Sequence, residues 1–483
     1  MNTITRDFKN NPEPKIGRSK FKQPSKHITT FDGGYIIPVY CKEVVPGDSF
    51  KMNAKMFSRM LKLKTPIMDS IKIDMHWFYC PSRLLWTNWK YYMGEEDTPG
   101  SYTPRSMPKL TVDNEAVGSL TDYFGLPIEV SNGTYQVCAL PYRMYNFCWN
   151  EWYRDQNISD KVDEDFGDQG DDVIADYTLK KRAKRHDYFT SCLPWPQKGS
   201  AVEIFGNDVD VLMRTTAQAT AAGGDGTAIF VDSADDAWWN PGGAHEAVGS
   251  RDGVSGALEG LAGSDLRIDP NYTLYADLTD TINDFRMALA MQRWYEIDAR
   301  GGTRYREILY NHFGVISSDR SLQRPEYLGG STFDVLINEV AATADAGGKE
   351  LADLASHAKS AGSCYWSKSF EEYGYVMCLV SARADLTYYQ GVDRMWTRDD
   401  REEHYWPSFA NIGEQPVYQS ELVVAGSNQA EVDSTFTTVF GYQERYGEYR
   451  YHKSIISGIM RPGATGAVPE WQDRKSTRLN SSH

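Results

Sequence analysis

The sequence lacks the patterns that mark most enzymes and metal proteins of its length. It contains no G-x-x-x-x-G-K-S/T phosphate loop, no H-E-x-x-H zinc motif and no G-x-S-x-G nucleophile turn. Its seven cysteines include no C-x-x-C pair, which argues against a zinc knuckle and against a disulfide framework. No run of about 18 apolar residues is present, so no membrane-spanning segment is expected. We therefore predict no catalytic residue, no metal ligand and no cofactor.

The composition describes a folded, aromatic-rich and acidic protein. Hydrophobic residues make up 41% of the 483 residues and charged residues 24%, which excludes a disordered chain. Aromatic residues reach 13%, with 30 Tyr and 13 Trp, as suits β-rich surfaces and buried interfaces. An ordinary β-rich enzyme has a similar composition, but we favour an assembling protein. The net charge of −15 makes the chain as a whole a poor nucleic-acid binder, so the distribution of charge matters more than its total.

The first 27 residues form a basic arm. Three prolines discourage helix and sheet, and only Asp7 and Glu13 oppose the cations. We interpret this arm as an extended segment that contacts either nucleic-acid phosphates or a neighbouring subunit, with a frayed terminus as the alternative. The candidate contact residues are Arg6, Lys9, Lys15, Arg18, Lys20, Lys22 and Lys26.

The clearest local pattern is a strand at residues 71–79. Apolar residues alternate there with Lys72, Asp74 and His76, which predicts a half-buried strand. Pro81 should end the strand because it has no N–H to donate. Short strands with Pro and Gly between them continue through residues 28–95, as expected for a sandwich or barrel.

A series of motifs in one order carries a resemblance to a known family. The sequence is similar to the major capsid protein of gokushovirus-type microviruses (Microviridae, Gokushovirinae), which are small single-stranded-DNA bacteriophages. The similarity covers nearly the whole chain apart from two variable stretches. The motifs that carry it include 36–38, 43–48, 78–86, 141–146, 187–199, 298–305, 322–330, 372–388, 405–407 and 440–451.

The resemblance implies a fold and a function. The expected fold is mainly β, an eight-stranded antiparallel jelly roll with long loop insertions and a few short helices. Copies of the chain would assemble into a T=1 icosahedral capsid around the single-stranded DNA genome and contribute to host attachment. The expected location is the virion, assembled in the bacterial cytoplasm without membrane insertion. Expected partners are other copies, the genome, a small basic DNA-binding protein, an internal scaffolding protein, a DNA pilot protein and a host surface receptor.

A rival interpretation is an aromatic-rich β-sandwich that binds carbohydrate or hydrolyses glycosides. Acid pairs such as Glu95 and Glu96 could serve such an enzyme. Adjacent acids on so acidic a chain are more often solvated surface, so we expect a structural protein and not an enzyme.

An insertion is expected to divide the capsid domain into residues 28–199 and 271–472. Residues 200–270 contain eleven glycines, and twelve acidic residues against three arginines give a net charge of −9. The resemblance implies that this insertion forms the protrusion at the threefold axes, and we expect it to face the host. Trp238 and Trp239 form either its exposed, host-facing tip or the small core that holds it together.

Three shorter segments carry further expectations. A second variable loop is expected at 331–363, with a short helix at 349–359, and apolar spacing predicts a helix at 279–297 that ends near Gly301. The basic run 180–186 follows an acidic loop, 160–176. It forms a phosphate-binding patch or neutralises that loop, and the sequence favours neither.

The last eleven residues, 473–483, do not resemble the rest of the chain. Eleven consecutive codons for them fit a common sequencing-library adapter read in frame. We interpret the segment as an artefact that replaces the native C-terminal sequence, with a natural basic tail as the alternative.

Overall fold

The computed structural model describes the chain in two compact units. One unit, here the sandwich unit, comprises 1–196 and 300–483, and the other, the inserted unit, comprises 197–299. The described residues are 17, 19–60, 67, 69–101, 103–128, 133–164, 167, 172–202, 211–215, 230–232, 266–268, 272–276, 282–341, 354–410 and 412–461. The predicted segment 473–483 lies outside them.

Strands are more numerous than helices and contain more of the described residues. In chain order the strands are β1 (Ile37–Val44), β2 (Ser49–Arg59), β3 (Ile71–Pro81), β4 (Lys109–Val112), β5 (Tyr135–Cys138), β6 (Val211–Thr215), β7 (Phe230–Asp232), β8 (Leu266–Ile268), β9 (Tyr272–Ala276), β10 (Glu326–Asp334), β11 (Leu336–Ala341), β12 (Leu354–Ser369), β13 (Gly374–Ala384), β14 (Glu414–Tyr418) and β15 (Val439–Glu444).

Most helices are a single turn or two. They are α1 (Ser82–Leu85), α2 (Trp89–Tyr92), α3 (Leu120–Tyr123), α4 (Leu140–Cys148), α5 (Ile282–Arg300), α6 (Tyr305–Phe313), α7 (Gln419–Leu422) and α8 (Gln429–Thr435). A π-helical turn at Trp149–Tyr153 extends α4, and 3₁₀ turns occupy Ile174–Asp176, Arg394–Trp396, Arg401–Glu403, Pro407–Phe409, Gly447–Tyr449 and Gly458–Met460.

Two antiparallel sheets form the sandwich. The first, here the four-stranded sheet, has the order β1-β13-β3-β10, and the second, the three-stranded sheet, has the order β11-β12-β2. The chain alternates between the sheets, so that β1 and β3 flank β13 while β2 pairs with β12. This exchange of strands agrees with a jelly roll. The predicted fold class, mainly β with antiparallel sheets, is confirmed, although the described residues give four and three strands in the two sheets of the sandwich.

The four-stranded sheet is buried on both faces. Alternate residues of β3 and β13, such as Trp77 and Cys378, pack between the sheets with Trp366 of β12. The Trp77 and Trp366 rings lie 5.6 Å apart. The residues in between, such as Phe78 and Met377, pack against α1, α2, α4 and the π-helical turn. The sandwich unit therefore has three layers: helices, the four-stranded sheet and the three-stranded sheet.

Burial on both faces corrects the interpretation of residues 71–79. The strand is confirmed and extends to Pro81, as predicted. It is not half-buried, however, because the helical layer covers the face that carries the polar residues. Asp74 is only 6% exposed. Alternation of polar and apolar residues cannot distinguish a face in water from a face under a second, partly polar layer.

A buried ion cluster lies on that covered face. Asp74 is opposite Ser381 of β13 and Thr332 of β10. The Thr332 hydroxyl donates to its Oδ1 at 2.6 Å, and two guanidiniums, Arg182 and Arg383, approach its Oδ2 at 2.5 and 3.0 Å. Burial alone would raise the pKa of Asp74, but the Thr332 hydrogen bond and the two arginines lower it. Asp74 is therefore ionised at neutral pH.

His76 neighbours this cluster without adding to its charge. Its Nδ1 lies 2.9 Å from the Tyr153 hydroxyl. Burial, followed by the positive charge of Arg182, lowers the pKa of His76 to about 4. The imidazole is therefore neutral at neutral pH, and the charged members of the cluster are one carboxylate and two guanidiniums.

The cluster settles the role of part of the basic run 180–186. Arg182 pairs with Asp74, and Arg185 pairs with Asp385 at 2.8 Å. Neither carboxylate belongs to the acidic loop 160–176, and Arg182 is mostly buried. These two arginines therefore fit neither alternative that the sequence left open, because they tie the segment to the four-stranded sheet.

The second variable stretch is largely strand. Residues 331–334, 336–341 and 354–363 belong to β10, β11 and β12. The predicted helix at 349–359 is wrong for 354–359, and its remainder lies outside the described residues. Alanine-rich composition favours helix, but antiparallel pairing of β12 with β2 and β11 decides the conformation.

The inserted unit contains a nested pair of strand pairings and one long helix. β6 pairs with β9, and β7 pairs with β8, both antiparallel. The predicted helix at 279–297 is confirmed as α5, which ends immediately before Gly301. Most of the expected insertion 200–270 lies outside the described residues.

We predict that Asp74→Asn destabilises the protein by about 3 kcal/mol, because it leaves two mostly buried guanidiniums without their carboxylate. Asp385→Asn is the matched control. Asp385 also pairs with two cations, Arg185 and Lys72, but is 44% exposed, so its loss should cost less than about 1 kcal/mol. Urea unfolding of the unaltered protein and of the two variants measures both changes in the free energy of unfolding. Equal destabilisation by the two substitutions would contradict the conclusion that Asp74 is the centre of a buried ion cluster.

Candidate functional site

The predicted contact residues are only partly within the described chain. Lys20, Lys22 and Lys26 are exposed on an extended segment without helix or strand. The Lys42 ammonium contacts the Gln23 side chain, and Phe31 packs at the edge of the core between the sheets. Arg6, Lys9, Lys15 and Arg18 lie outside the described residues, as do Trp238 and Trp239. The roles assigned to these residues remain predictions.

The described residues contain no cluster suited to metal binding or nucleophilic catalysis. They hold no group of three or more His, Cys, Asp or Glu side chains that could bind a metal ion. All seven cysteines are free thiols, and burial raises the pKa of Cys41 to about 12. Glu95 and Glu96 are exposed at a shallow cavity of about 230 Å³ that Asp97 and Arg105 also line. No described helix is long and apolar enough to cross a membrane.

A surface of tyrosine, tryptophan and arginine is the most distinctive site of the sandwich unit. It joins the segment 398–409 to the segment 445–449, and we call it the aromatic–arginine surface. The Tyr405 ring lies 5.0 Å from the Tyr446 ring and 6.0 Å from the Tyr449 ring. Tyr405, Trp406 and Tyr449 are exposed, whereas Tyr446 is buried beneath them.

Three arginines lie over these rings. The Arg398 guanidinium is 4.7 Å from the centre of the Tyr449 ring, and that of Arg401 is 5.5 Å from the Trp406 ring. Arg445 lies 5.4 Å from the Phe409 ring. Such cation–π contacts hold a planar guanidinium flat against an aromatic face. The exposed side chains therefore have defined positions before any partner is bound.

Backbone geometry fixes the base of this surface. Tyr446 has a φ of 62°, which is uncommon for a residue other than glycine. Its N–H donates to Gln415 Oε1 at 3.0 Å, and its hydroxyl donates to the His404 carbonyl at 3.0 Å. The Gln415 amide in turn donates to Glu448 at 2.6 Å, and Glu448 pairs with Arg398. The network maintains a strained conformation, a feature that accumulates at functional positions.

The chemistry of this surface suits contact with another protein. Tyr, Trp and Arg are the residues that contribute most to binding at protein interfaces, since each offers a large contact area and a hydrogen-bond donor. The carboxylate of Glu448 is paired with Arg398. The aromatic–arginine surface is therefore a candidate subunit interface.

Comparison with known proteins decides the family. Residues 10–476 match the family described as "Capsid protein (F protein)". The chain belongs to this family of phage capsid proteins. It is thus a structural capsid protein of a bacteriophage of the Microviridae type, and the predicted resemblance to gokushovirus capsid proteins is confirmed.

Three curated relatives carry the name "Capsid protein VP1". That of Bdellovibrio phage phiMH2K is 39% identical over 95% of this chain and 85% of its own length. That of Chlamydia phage 1 is 36% identical, over 96% of this chain and 88% of its own length. That of Spiroplasma virus 4 is 31% identical, over 98% and 87%. Membership among structural capsid proteins confirms that the chain is not an enzyme and removes the glycoside hydrolase alternative.

Sequence reasoning did not nominate the aromatic–arginine surface. Its two segments contribute the motifs 405–407 and 440–451, which the sequence analysis used only as marks of resemblance. Tyr405 and Tyr446 are separated by about 40 positions along the chain, so no local pattern joins them. The density of Tyr, Trp and Arg in both segments was the available signal.

We predict that Trp406→Ala weakens assembly while the isolated subunit stays folded. Loss of one such interface residue typically costs about 2 kcal/mol per contact, which corresponds to a roughly 30-fold higher concentration for assembly. Light scattering during particle assembly and thermal unfolding of the subunit give the two readouts. Val117→Ala, at another exposed apolar residue, is the control and should leave both unchanged. Normal assembly of the Trp406 variant would exclude this surface from the interface.

Proposed function

We propose that this capsid protein assembles into a T=1 icosahedral shell that encloses a single-stranded DNA genome and contributes to host attachment. The observation that supports the proposal is the aromatic–arginine surface, whose rings and guanidiniums have fixed positions, while Tyr405, Trp406 and Tyr449 remain exposed and able to contact a partner. In a shell of identical subunits, that partner is another copy of the chain. Jelly-roll subunits form such shells by edge contacts between their loops and strand ends.

A closed shell requires more than one contact surface on each subunit, because heterologous contacts join different patches of neighbouring copies. Helix α6 and the residues after it offer a second candidate surface. The side chains of Tyr310, Phe313 and Ile316 are exposed there, Phe313 to 73%. Exposed apolar residues at this density are typical of protein–protein contacts. We assign this segment to a further subunit contact.

The basic arm supports enclosure of the genome. Its described cations, Lys20, Lys22 and Lys26, are exposed and available to phosphates. The arm is proposed to contact either DNA or a neighbouring subunit. By family resemblance, the proposal extends to a small basic DNA-binding protein, an internal scaffolding protein, a DNA pilot protein and a host receptor as partners, and to assembly in the bacterial cytoplasm.

Particle formation tests the shell directly. We expect the protein, produced together with the other structural proteins of its phage, to yield particles that cryo-electron microscopy resolves with 60 copies of the subunit. The expected particles protect single-stranded DNA from nuclease. A soluble monomer that forms no particles under these conditions would refute the proposed shell, and particles of another symmetry would refute the T=1 arrangement.

The insertion is proposed to be the main host-facing surface. A segment with a net charge of −9 would repel phosphates if it lined the interior. Surface insertions also cost little stability, since loop-closure entropy rises slowly with length. An outward position satisfies both conditions for residues 200–270.

The pairing of β6 with β9 permits a precise deletion. Thr215 and Tyr272 are cross-strand partners, so an Asn-Gly turn can replace residues 216–271 and close the hairpin. We expect particles of this variant to assemble, while their adsorption to host cells falls at least tenfold. Unchanged adsorption would overturn the host-facing role, and loss of the folded sandwich would show that the insertion is part of the fold. Trp238→Ala/Trp239→Ala particles distinguish an exposed tip, which loses adsorption alone, from a core, which loses stability.

A further inference from the structure

One face of the sandwich has no covering layer in the described part of the chain. The four-stranded sheet is covered by helices on one side and by the three-stranded sheet on the other. The three-stranded sheet turns residues such as Met52, Met56 and Trp366 inward, towards the four-stranded sheet. The alternate residues of β2 and β12 point away from the core and are exposed. We call this the outer face of the three-stranded sheet.

Cations recur along this face at regular intervals. On β2 the outward residues are Lys51, Asn53, Lys55, Phe57 and Arg59, so a cation occupies every fourth position. Four residues of a strand span about 13 Å. The register with β12 brings Lys359 beside Arg59, and Tyr365 beside Asn53, between the levels of Lys51 and Lys55.

Two exposed aromatic rings lie between the cations. Phe57 is 63% exposed and Tyr365 is 66% exposed. Phe57 follows Lys55 and precedes Arg59 in the outward row, and the Arg59 guanidinium lies 5.3 Å from the centre of its ring. Along the sheet, the order is therefore cation, ring, cation, ring and a cation pair. Serines and Asn53 occupy much of the rest of β2 and β12 on this face, while the edge strand β11 adds the exposed apolar residues Leu336 and Val340.

No carboxylate neutralises these cations among the described residues. Strands β2 and β12 contain no acidic residue, and the acid of β11, Glu339, is opposite the buried Ser356, on the other parity. Lys51, Lys55, Arg59 and Lys359 take part in none of the ion pairs of the described chain, although the protein has a net charge of −15. By contrast, Lys368, near the end of β12, pairs with Glu326. The outer face thus concentrates unpaired positive charge on an acidic protein.

We propose that the outer face of the three-stranded sheet binds single-stranded nucleic acid, with Lys51, Lys55, Arg59 and Lys359 on the phosphates and with Phe57 and Tyr365 stacked on bases. Sheets that bind single strands combine these two elements, a cationic track and exposed rings. The inference rests on the proposed enclosure of a DNA genome, and it assigns this face to the interior of the shell.

A protein partner fits the face less well. The centre of a protein interface is depleted in lysine, because desolvation of an ammonium is costly. Here two lysines and one arginine are spread along the whole length of β2, and one further lysine lies beside the arginine on β12. A strong polyanion can be bound by such a row while each ammonium keeps part of its water, and release of counterions then drives binding. Charge complementarity therefore favours nucleic acid over a neighbouring subunit.

Binding of fluorescent oligonucleotides to the soluble, unassembled full-length protein tests the proposal. The triple variant Lys51→Ala/Lys55→Ala/Lys359→Ala removes three cations of the face. Lys90→Ala/Lys109→Ala/Arg450→Ala removes three exposed cations elsewhere on the sandwich unit and is the matched control. For a single-stranded oligothymidine, the slope of log Kd against the logarithm of the salt concentration should be smaller by about 2 in the face variant, because each lost phosphate contact removes about 0.7 from the slope. The slope should stay unchanged in the control variant.

Stacking is tested separately. Tyr365→Ala should weaken single-stranded binding about 5- to 150-fold, as expected for loss of one stacked base, while Tyr365→Phe keeps the affinity. Duplex DNA of the same length offers no free base, so its weaker binding should be insensitive to either change. Equal effects on single and double strands would overturn the stacking role. Circular dichroism of each variant establishes that it is folded.

The remaining outcomes separate this inference from the proposed shell. If the face variant binds oligonucleotide as tightly as the control variant, the nucleic-acid role is wrong, even if particles form. If the face variant binds oligonucleotide normally but no longer assembles, the face is a subunit contact and the inference is overturned. If the unaltered protein forms no particles, but the variants of the outer face show the predicted losses of oligonucleotide binding, the shell proposal fails and the nucleic-acid site remains.

Discussion

The buried carboxylate of Asp74 is the interaction around which the layers of the sandwich unit are arranged. It lies on β3, between Ser381 and Thr332 on the neighbouring strands. Its desolvation is tolerated only because a hydroxyl and two guanidiniums surround it. Arg182 belongs to a segment that crosses the sheet, and its backbone N–H also donates to Gly34 at 2.9 Å. The ion cluster therefore anchors that crossing segment where the helical layer ends.

This anchoring has a consequence for the rest of the surface. With helices and the crossing segment on one side and the three-stranded sheet on the other, the four-stranded sheet offers no free face. The three-stranded sheet carries no second cover in the described chain, so its outer face is free to bind. The two outer faces of the sandwich therefore differ chemically. The face of the four-stranded sheet is covered by helices and by the segment that carries Arg182, whereas the face of the three-stranded sheet presents unpaired cations.

The sequence predicts features that neighbouring residues determine, and it does not predict features that depend on residues far away along the chain. Pro81 ends β3 because proline cannot donate to a ladder, and the glycines after Arg300 end α5. These effects depend on neighbouring residues alone. The burial of Asp74, by contrast, depends on Arg182 and Arg383, which are more than 100 and 300 positions away. Periodicity showed a polar residue on one side of a strand and could not show what covers it.

The alanine-rich stretch shows the same limit for secondary structure. Residues 354–359 have the composition of a helix, yet they pair with β11, and residues 356–359 alternate between core and solvent. The same alternation places Lys359 of β12 on the outer face, beside the row of cations that β2 contributes. The family could be recognised from the sequence because many motifs occur in one order. The candidate surfaces could not, because each joins segments that only the fold brings together.

The two candidate surfaces differ in ways that match different partners. The aromatic–arginine surface places guanidiniums against rings and pairs Arg398 with Glu448, and its two segments contain five acidic residues against three arginines, so positive charge does not dominate it. Arginine is weakly hydrated and is readily buried in a protein interface. The outer face of the three-stranded sheet carries mainly lysine, which stays hydrated and attracts a polyanion by charge. On the proposed assignments, one acidic chain contacts other copies of itself through the first surface and nucleic acid through the second.

The net charge of −15 adds a final constraint on such a particle. Neighbouring copies repel one another over about 8 Å at physiological ionic strength, whereas ring contacts act only at the interface. On the proposed assignment, phosphates bound to the outer face of the three-stranded sheet would neutralise cations that the net charge of −15 includes, so the bound nucleic acid would not lower the repulsion between subunits. Added salt would weaken the repulsion between subunits and, at the same time, the attraction for phosphates. Subunit association and genome binding therefore respond to ionic strength in opposite directions, which makes them separable as physical processes although one chain carries both.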